Sequence, residues 1–419
     1  MDQKLQYYGH LKDFLNSSLS SQYKVMIKLN QEEADEQDIK NLSSAIIKCT
    51  NLTVLIINFQ TNEIKLQDIQ TLGFALENCY QLQTLKLLLS KQRLGDEGIS
   101  LLAFSLVNCP NLSDLYLNLV GNQIGIEGIK NLGSSLSKCK YLSRLNLLLH
   151  SSKLGDEGVS CLSSELNNCT NISNLELYLM VNEIGSQGVS DLACSLSKLT
   201  NLSKLKLSLE KNKVEEKGAF YLGSSLAQCA NLQSLELCLN QNIIGTQGTS
   251  NLIYGLSNCS SLEVLDLQIG DNSIGAQGIT SIGKAISNFT CLSILKLYVG
   301  NNMIQTIGAL EFGSVLKNWT RISNLYLDLR NNEIGDDGAL SVYQGLTQCS
   351  SLYALTLILE NNNIQDKGAK NLCKVLANCK NLCMLNIQIC FNGVDLQNRL
   401  LLSSQLKKIK RIVKYYIIF

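Results

Sequence analysis

Three glycines stand where a phosphate-binding loop would place them. The stretch LYLNLVGNQIGIEG, residues 115–128, alternates apolar and polar residues and then runs through Gly121, Gly125 and Gly128 into a helix-like pattern. Backbone N–H groups at the start of such a helix can hold a phosphate, because they point outward together and the helix dipole favours an anion. A nucleotide site is therefore the first chemistry to consider, although no GKS or GKT completes the loop.

The same stretch returns every thirty residues, as LNLLLHSSKLGDEG at 145–158 and LYLDLRNNEIGDDG at 325–338. Residues 21–410 form thirteen such units, with the consensus NLxxLxLxLxxNxIGxxGxxxLxxxLxxCx. Ten units carry the second glycine, from Gly98 to Gly368, and the others carry Asp38, Asp68 and Asn398. A nucleotide needs one loop per site, whereas these residue types tolerate left-handed backbone and cap helices. The repetition predicts a structural role for the glycines.

Sixteen cysteines could bind metal or form disulfides. Nine occupy one repeat position: Cys49, Cys79, Cys109, Cys139, Cys169, Cys229, Cys259, Cys349 and Cys379. Other units place Leu199, Phe289, Trp319 and Ile409 there, and none of these side chains coordinates a metal. The position therefore selects buried apolar volume. We predict no metal and no cofactor, and free thiols fit a reducing compartment.

Acid–base chemistry has few candidates, because His10 and His150 are the only histidines. His150 follows a strand and is expected to be an ordinary surface residue. The acidic pairs Asp336–Asp337 and Glu215–Glu216 lie in strand-to-helix loops, where carboxylates complement the helix dipole and cap amides. We therefore predict no catalytic residues, and the chain is not expected to be an enzyme.

Each unit divides into two periodicities that define its elements. Leu115, Leu117 and Leu119 alternate with polar residues, which predicts a strand, and Leu132, Leu136 and Cys139 follow at helical spacing. Successive strand–helix units imply parallel strands with right-handed crossovers that stack into an α/β solenoid. Because packed helices need more room than paired strands, we expect a horseshoe with a concave parallel β-sheet and convex helices.

An asparagine closes the strand in ten units: Asn62, Asn122, Asn182, Asn212, Asn242, Asn272, Asn302, Asn332, Asn362 and Asn392. Backbone groups lose their ladder partners where the chain leaves the strand, and an amide side chain offers both donors and acceptors. We predict a structural role for this column. Gln92 and Ser152 interrupt it, so strain or a bound water is expected at those turns.

The series LxLxLxxNxIGxxG followed by LxxxLxxC resembles leucine-rich repeats of the ribonuclease-inhibitor-like subclass. That subclass includes ribonuclease inhibitor, the sensor regions of NOD-like receptors and the Ran GTPase-activating protein, usually with slightly shorter units. The uniform period, the IG dipeptide and the residue usage are similar to expanded ciliate repeat families. The resemblance implies a stacked asparagine ladder and a horseshoe that binds a protein partner across its concave face.

Composition and the chain ends set the remaining expectations. Lys plus Arg number 36 against 35 Asp plus Glu, so net charge gives no reason to expect nucleic acid or membrane as partner. No signal-like or membrane-spanning apolar run occurs, and we expect a cytoplasmic monomer. Residues 1–20 are predicted to form a capping helix, residues 21–410 the repeats, and residues 411–419 a terminal strand carrying Ile412, Tyr415, Ile417 and Phe419.

Recognition is expected where the repeat is free to vary, on the outward strand positions. We predict partner-binding roles for Tyr116, Tyr178, Lys206, Glu236, Asp266, Lys296, Tyr298 and Tyr326. Glu236 and Asp266 would form an acidic centre flanked by Lys204, Lys206 and Lys296, and tyrosines are common binding anchors. The favoured function is a non-enzymatic protein-binding scaffold. The alternatives are a GTPase-activating regulator similar to the Ran-directed protein and a ligand-sensing module.

Overall fold

The computed structural model describes residues 4–29, 35–59, 64–376, 378–407 and 412–418. Two compact units make up the chain, Met1–Ser208 and Leu209–Phe419. The predicted roles of Asn62, Ile409 and Phe419 fall outside the described residues. No described helix is long and apolar enough to cross a membrane.

The first unit alternates parallel strands with helices. Its described strands are β1 (Gln6–Tyr8), β2 (Lys24–Lys28), β3 (Val54–Asn58), β4 (Thr84–Leu88), β5 (Asp114–Asn118), β6 (Arg144–Leu148), β7 (Asn174–Tyr178) and β8 (Lys204–Ser208). Its described helices are α1 (Leu11–Leu15), α2 (Glu36–Lys48), α3 (Leu66–Glu77), α4 (Gly95–Val107), α5 (Ile126–Leu136), α6 (Gly155–Leu166) and α7 (Ser186–Ser197). A short 3-10 turn, Leu19–Ser21, follows α1.

The second unit continues the same alternation. Its described helices are α8 (Glu216–Leu226), α9 (Gly245–Leu256), α10 (Gly275–Ile286), α11 (Gln305–Val315), α12 (Gly335–Thr347), α13 (Asp366–Leu376) and α14 (Leu396–Lys407). Its described strands are β9 (Ser234–Cys238), β10 (Val264–Gln268), β11 (Ile294–Tyr298), β12 (Asn324–Asp328), β13 (Ala354–Ile358), β14 (Met384–Gln388) and β15 (Lys414–Ile418). A 3-10 turn, Leu316–Asn318, extends α11.

Within each unit the strands pair in chain order, and every pairing is parallel. Leu115 lies opposite Leu145, and Leu295 lies opposite Leu325, so the register advances by one thirty-residue period per strand. The predicted α/β solenoid of parallel strands and helical crossovers is therefore confirmed within each unit. The strand leucines form the core: Leu115, Leu117 and Leu119 are all fully buried.

The asparagine column has the structural role that its position in the repeat predicted. The amide of Asn302 donates to the carbonyl oxygens of Ile269 at 2.9 Å and Val299 at 3.0 Å. Its Oδ1 accepts from the backbone N–H groups of Asn272 at 2.9 Å and Ile274 at 3.4 Å. One side chain thus satisfies the buried backbone of two consecutive repeats, and the prediction is confirmed for the described members of the column.

Gln92 replaces an asparagine without leaving its neighbours unpaired. Its longer side chain accepts a hydrogen bond from the Ile64 N–H at 3.0 Å and donates to the Phe59 carbonyl at 3.2 Å. No strain or bound water is required to explain this turn, because Gln92 pairs with the backbone groups that an asparagine would otherwise satisfy. Ser152 is different, because its hydroxyl is buried without a hydrogen-bond partner.

The cysteine column is packed as predicted. Cys109 is 3% exposed, and its thiol contacts the carbonyl oxygens of Leu76 and Ser105. Burial raises the pKa of the Cys109 thiol to about 12, because the thiolate would lose its hydration. Cys139 lies three residues beyond the end of α5 at Leu136 and Cys49 is the C-cap residue of α2, so this column lies at or just past the helix end and not within the helix as predicted.

The second glycine has the structural role that we predicted, but its reason is close approach and not left-handed backbone. Gly128 is the third residue of α5 and has no positive φ. A Cβ atom on Gly128 would lie 2.6 Å from Asp96 Oδ1 and 3.1 Å from Ile124 Cγ2. Left-handed backbone occurs instead at the first glycine of several units, as at Gly95 with φ +58°.

Carboxylates in the first turn of some helices cap the helix of the following repeat, whereas Asp35 caps its own helix α2. Asp96 Oδ1 accepts hydrogen bonds from the N–H groups of Gly125 at 2.6 Å and Gly128 at 3.0 Å. Asp336 Oδ1 accepts from the Gln365 N–H at 2.7 Å in the same way. The glycine-rich loop of the opening stretch therefore already holds an anion, the carboxylate of its neighbouring repeat.

The two ends of the chain contain the following elements. Residues 1–20 hold both β1, which pairs with β2, and the five-residue helix α1, whose Leu11 and Phe14 are buried. Residues 411–419 hold β15, which pairs with β14. The predicted capping roles of these segments and the bounds of the three predicted domains stay predictions.

Candidate recognition surface

The outward sheet face consists of the first, third and fifth residues of each strand, whose side chains alternate with the buried leucines. The regular pairing places equivalent residues of successive strands side by side, so each position forms a column across the sheet. The predicted binding residues lie in the third and fifth columns. Tyr116, Tyr178 and Lys206 belong to the first unit, and the other five belong to the second.

In the first unit, the predicted residues lie around Glu176. Its Oε2 accepts hydrogen bonds from the Asn146 amide at 2.6 Å and from the Tyr178 hydroxyl at 3.1 Å. Lys206 Nζ lies 5.2 Å from the centroid of the Tyr178 ring, a cation–π contact. Burial, followed by the charge of Glu176, raises the pKa of both Tyr116 and Tyr178. We call Tyr116, Asn146, Glu176, Tyr178 and Lys206 the Glu176 cluster.

His150 is part of this surface, and our expectation of an ordinary surface histidine is wrong. Its ring packs edge-on against Tyr178 with centroids 6.0 Å apart, and the side chain is half-buried. Burial lowers the pKa of His150, and a hydrogen bond with the Tyr178 backbone partly offsets this effect. The residue is therefore held neutral more strongly than a solvated histidine.

In the second unit, the predicted acidic centre is largely internal. Asp266 is only 7% exposed, and its carboxylate accepts from Gln268 at 3.0 Å and pairs with Lys296 Nζ at 3.1 Å. Glu236 stands beside Asp266 on the neighbouring strand. Asp266 therefore orients Lys296 and leaves little of its own surface for a partner.

Tyr298 and Tyr326 form a stacked pair next to this centre. Their ring centroids are 4.6 Å apart with an interplanar angle of 34°. Asp328 is 5% exposed and holds the Arg330 guanidinium at 2.8 Å, and Arg330 also approaches Glu360 at 3.5 Å. Ion pairs on neighbouring strands thus flank two half-buried aromatic rings.

Several members of these clusters were missed as binding candidates. Glu176 and Asp328 lie in the predicted columns, but sequence reasoning preferred the tyrosines and lysines beside them. Arg330 lies two residues after β12, outside the strand positions considered. The recurrence of an acid and a tyrosine in neighbouring columns is the signal that would have found Glu176 and Asp328.

A groove of about 420 Å³ crosses the outward sheet face from β11 to β15. Its walls include Lys296, Tyr326, Met384, Lys414 and Tyr416. A smaller depression of about 180 Å³ lies beside Glu176 and is lined by charged side chains that include Asp114 and Arg144. Among the described residues, no group of three His, Cys, Asp or Glu side chains is arranged to hold a metal ion.

Comparison with known proteins identifies the repeated unit. A family model described as Leucine Rich repeat matches residues 325–342 and 355–373. The chain carries leucine-rich repeats. The two matched segments include strand positions of β12 and β13 together with parts of α12 and α13, so they report two consecutive leucine-rich repeats.

Other comparisons add little detail. No curated protein matches this chain. Among solved structures, this chain is similar to one in the crystal structure of a TLR13–ssRNA13 complex, with 18% sequence identity and a TM-score of 0.46. The alignment covers 97% of this chain and 58% of that one, so this chain spans less than two thirds of its length.

Proposed function

We propose that this leucine-rich repeat protein is a non-enzymatic scaffold that binds a protein partner on its outward sheet face. The residues proposed to contact the partner are Tyr116, Tyr178 and Lys206 in the first unit, and Glu236, Lys296, Tyr298 and Tyr326 in the second, where Asp266 acts mainly by orienting Lys296. Leucine-rich repeats generally mediate binding to proteins or ligands, which supports a recognition role.

The observation that carries the proposal is the stacked pair of Tyr298 and Tyr326. Both rings are half-buried and contact each other, and the ion pairs of Lys296 and Arg330 lie nearby. An aromatic side chain that is already ordered loses little conformational entropy when a partner covers it. Tyrosine and arginine are enriched among the residues that dominate binding energy, and Arg330 stands beside this pair.

The Glu176 cluster offers a second preorganised patch in the first unit. Tyr178 is fixed by its hydrogen bond to Glu176, by the ring of His150 and by Lys206. A partner that covers this patch would meet an aromatic surface with both charge signs at its rim, a composition typical of protein interfaces. Each patch can therefore act as an anchor in its own unit.

We further propose that the protein works in the cytoplasm as a monomer. Fifteen described cysteines are free thiols, which fits a reducing environment. The ribonuclease-inhibitor-like subclass and the likeness to ciliate repeat families also remain proposals, based on the spacing of the repeat. Under this proposal the output comes from covering a partner or from bridging two partners.

A pull-down from native lysate with the full chain as bait tests the proposed function. Two variants disrupt the surface: the double charge reversal Lys206→Glu with Glu236→Lys, and the double truncation Tyr298→Ala with Tyr326→Ala. For each variant we expect the amount of partner recovered to fall at least about tenfold, as for interface hot spots. The matched control is Tyr254→Ala, which removes a tyrosine that is 43% exposed on helix α9.

The two outcomes are distinct. Loss of partner in both sheet variants with retention in the Tyr254→Ala control supports recognition by the outward sheet face. Recovery of every partner by both sheet variants would refute it, provided that circular dichroism shows the variants folded.

A further inference from the structure

The shape and charge of the groove across β11–β15 indicate what kind of partner segment could bind there, which the tyrosine pair alone does not. It forms because β13 contributes the smallest side chains, Ala354 and Thr356, to the first and third columns. Tyr326 stands on one side of Thr356, and Asn386 stands on the other. Tyr326 and Tyr416 are the large side chains of this column, so the trough lies between them, over Thr356 and Asn386.

Two tyrosines bound the third column of the groove. Tyr326, Thr356, Asn386 and Tyr416 occupy equivalent positions on four successive strands. At about 4.8 Å per strand, the two tyrosines stand about 14 Å apart, the length of about four extended residues. Tyr416 is 60% exposed, so its ring is available to a partner.

The floor of the groove is apolar. Leu325, Leu355 and Leu385 lie beneath it at 2% to 3% exposure, and Met384 at its side is 38% exposed. Surface of this kind gains free energy when a partner's apolar side chain displaces water from it. A bound segment therefore needs a large apolar residue at this point.

Polar groups at the groove can orient a bound segment. Asn386 is half-buried in the third column, where the exposed part of its amide can hydrogen-bond with the backbone of a bound segment. Lys296 and Lys414 line the groove, and no described lining residue is acidic. Lys296 already pairs with Asp266, whereas Lys414 is exposed on the last strand.

We propose that this groove receives an extended segment of the partner protein that places an apolar side chain between Tyr326 and Tyr416 and a carboxylate beside Lys414. The inference rests on the proposed function and specifies the chemistry of the partner. A single-stranded nucleic acid fits less well, because it needs a series of cations along its phosphates and this groove supplies two lysines, one of them already paired.

The test uses a phage-displayed library of random dodecapeptides, panned on the immobilised full chain. We expect the selected peptides to share a large apolar residue within two positions of Asp or Glu. Synthetic copies of the selected peptides should bind two variants about tenfold or more weakly than they bind the unchanged chain. Lys414→Glu reverses the exposed charge, and Ala354→Trp fills the trough. Because a tryptophan can disturb the strand, Lys414→Glu provides the independent measurement.

Matched controls occupy the same first column elsewhere. Lys24→Glu on β2 and Ser234→Trp on β9 introduce the same residues away from the groove and should leave peptide affinity unchanged. The inference is overturned if no peptide is enriched, if the enriched peptides are basic, or if their affinity ignores both groove variants. It is also overturned if labelled oligouridylate binds the chain and the groove variants abolish that binding.

The inference and the proposed function can fail separately. If both groove variants still recover the lysate partner while the Tyr298→Ala, Tyr326→Ala variant loses it, the groove assignment is wrong and the sheet-face scaffold stands. If the sheet-face variants also recover every partner, the proposed function fails, whatever the peptide result.

Discussion

Tyr298 and Tyr326 stack across neighbouring strands with their ring centroids 4.6 Å apart. Burial raises the pKa of both phenols, and the nearby carboxylates add to the effect. For Tyr298 the first of these carboxylates is Asp266 on the neighbouring strand. The pair therefore sits in a negative local field that resists ionisation of either ring.

Removing that field should make Tyr298 easier to ionise. We expect Asp266→Asn to lower the pKa of Tyr298, because an amide keeps the shape of the carboxylate but not its charge. The shift is measured by carbon-13 NMR titration of the tyrosine Cζ resonances. Asp271→Asn in an exposed loop is the control and should leave Tyr298 unchanged. An unchanged or higher pKa in Asp266→Asn would contradict this account of the field.

The asparagine column should be costly to disrupt. Asn302→Ala leaves buried N–H and C=O groups of two repeats without partners, so we expect a loss of about 2 to 4 kcal/mol in unfolding free energy. Urea denaturation followed by circular dichroism measures it. The exposed Asn288→Ala should change stability by less than about 0.5 kcal/mol. Equal effects of the two substitutions would show that the hydrogen bonds of Asn302 add little.

Two glycines of neighbouring repeats should respond differently to alanine. At Gly128 a Cβ atom meets Asp96 Oδ1 at 2.6 Å, and we expect a loss of about 1 to 3 kcal/mol from overpacking. At Gly95 nothing lies within 4 Å, but φ is +58°, so we expect a loss of about 1 kcal/mol from backbone strain alone. Thermal unfolding of the two variants compares them. The reverse order would contradict the close-approach explanation for Gly128.

Thiol reactivity should divide the cysteines by burial. Burial raises the pKa of Cys109 and Cys349 to about 12, so at pH 8 their thiolate fraction is far below that of a solvated thiol. Cys194 and Cys291 are exposed. We expect iodoacetamide at pH 8 to alkylate the exposed pair first and the buried pair only after urea is added, as read by mass spectrometry. Early labelling of Cys109 would mean that the column is not packed.

The GTPase-activator alternative predicts a direct kinetic effect. A scaffold without catalytic groups should leave single-turnover GTP hydrolysis unchanged across a panel of small GTPases. Acceleration of any member by the full chain, about tenfold or more above its intrinsic rate, would favour the alternative over the scaffold proposal.

The architecture was predictable because it is repeated. Any single occurrence of Gly128 or Asn122 could belong to a functional loop, but recurrence at one period identifies each as a structural position. Repetition also explains the errors. The sequence shows that a glycine recurs at the position of Gly128, but only coordinates show that Asp96 of the previous repeat needs the space.

The candidate surface was predictable in outline and not in detail. The outward columns follow from strand alternation, so the positions of Tyr298 and Asp266 were available from the sequence. The exposed fraction of Asp266 was not, because it depends on where Gln268 and Lys296 direct their side chains. The involvement of His150 likewise depends on a ring contact with a residue twenty-eight positions away.

The hydrogen bonds of the asparagine column join residues separated by a constant distance along the chain. Asn122 and Asn302 both donate to a carbonyl thirty-three residues earlier, and Asn362 does the same. Any copy of a repeat that carries the asparagine therefore presents the donors and acceptors that its neighbours require. In-frame duplication of one such thirty-residue block would lengthen the array without leaving a buried polar group of this column unpaired. Evolution can therefore change the size of the binding face while the hydrogen-bond pattern between repeats stays the same.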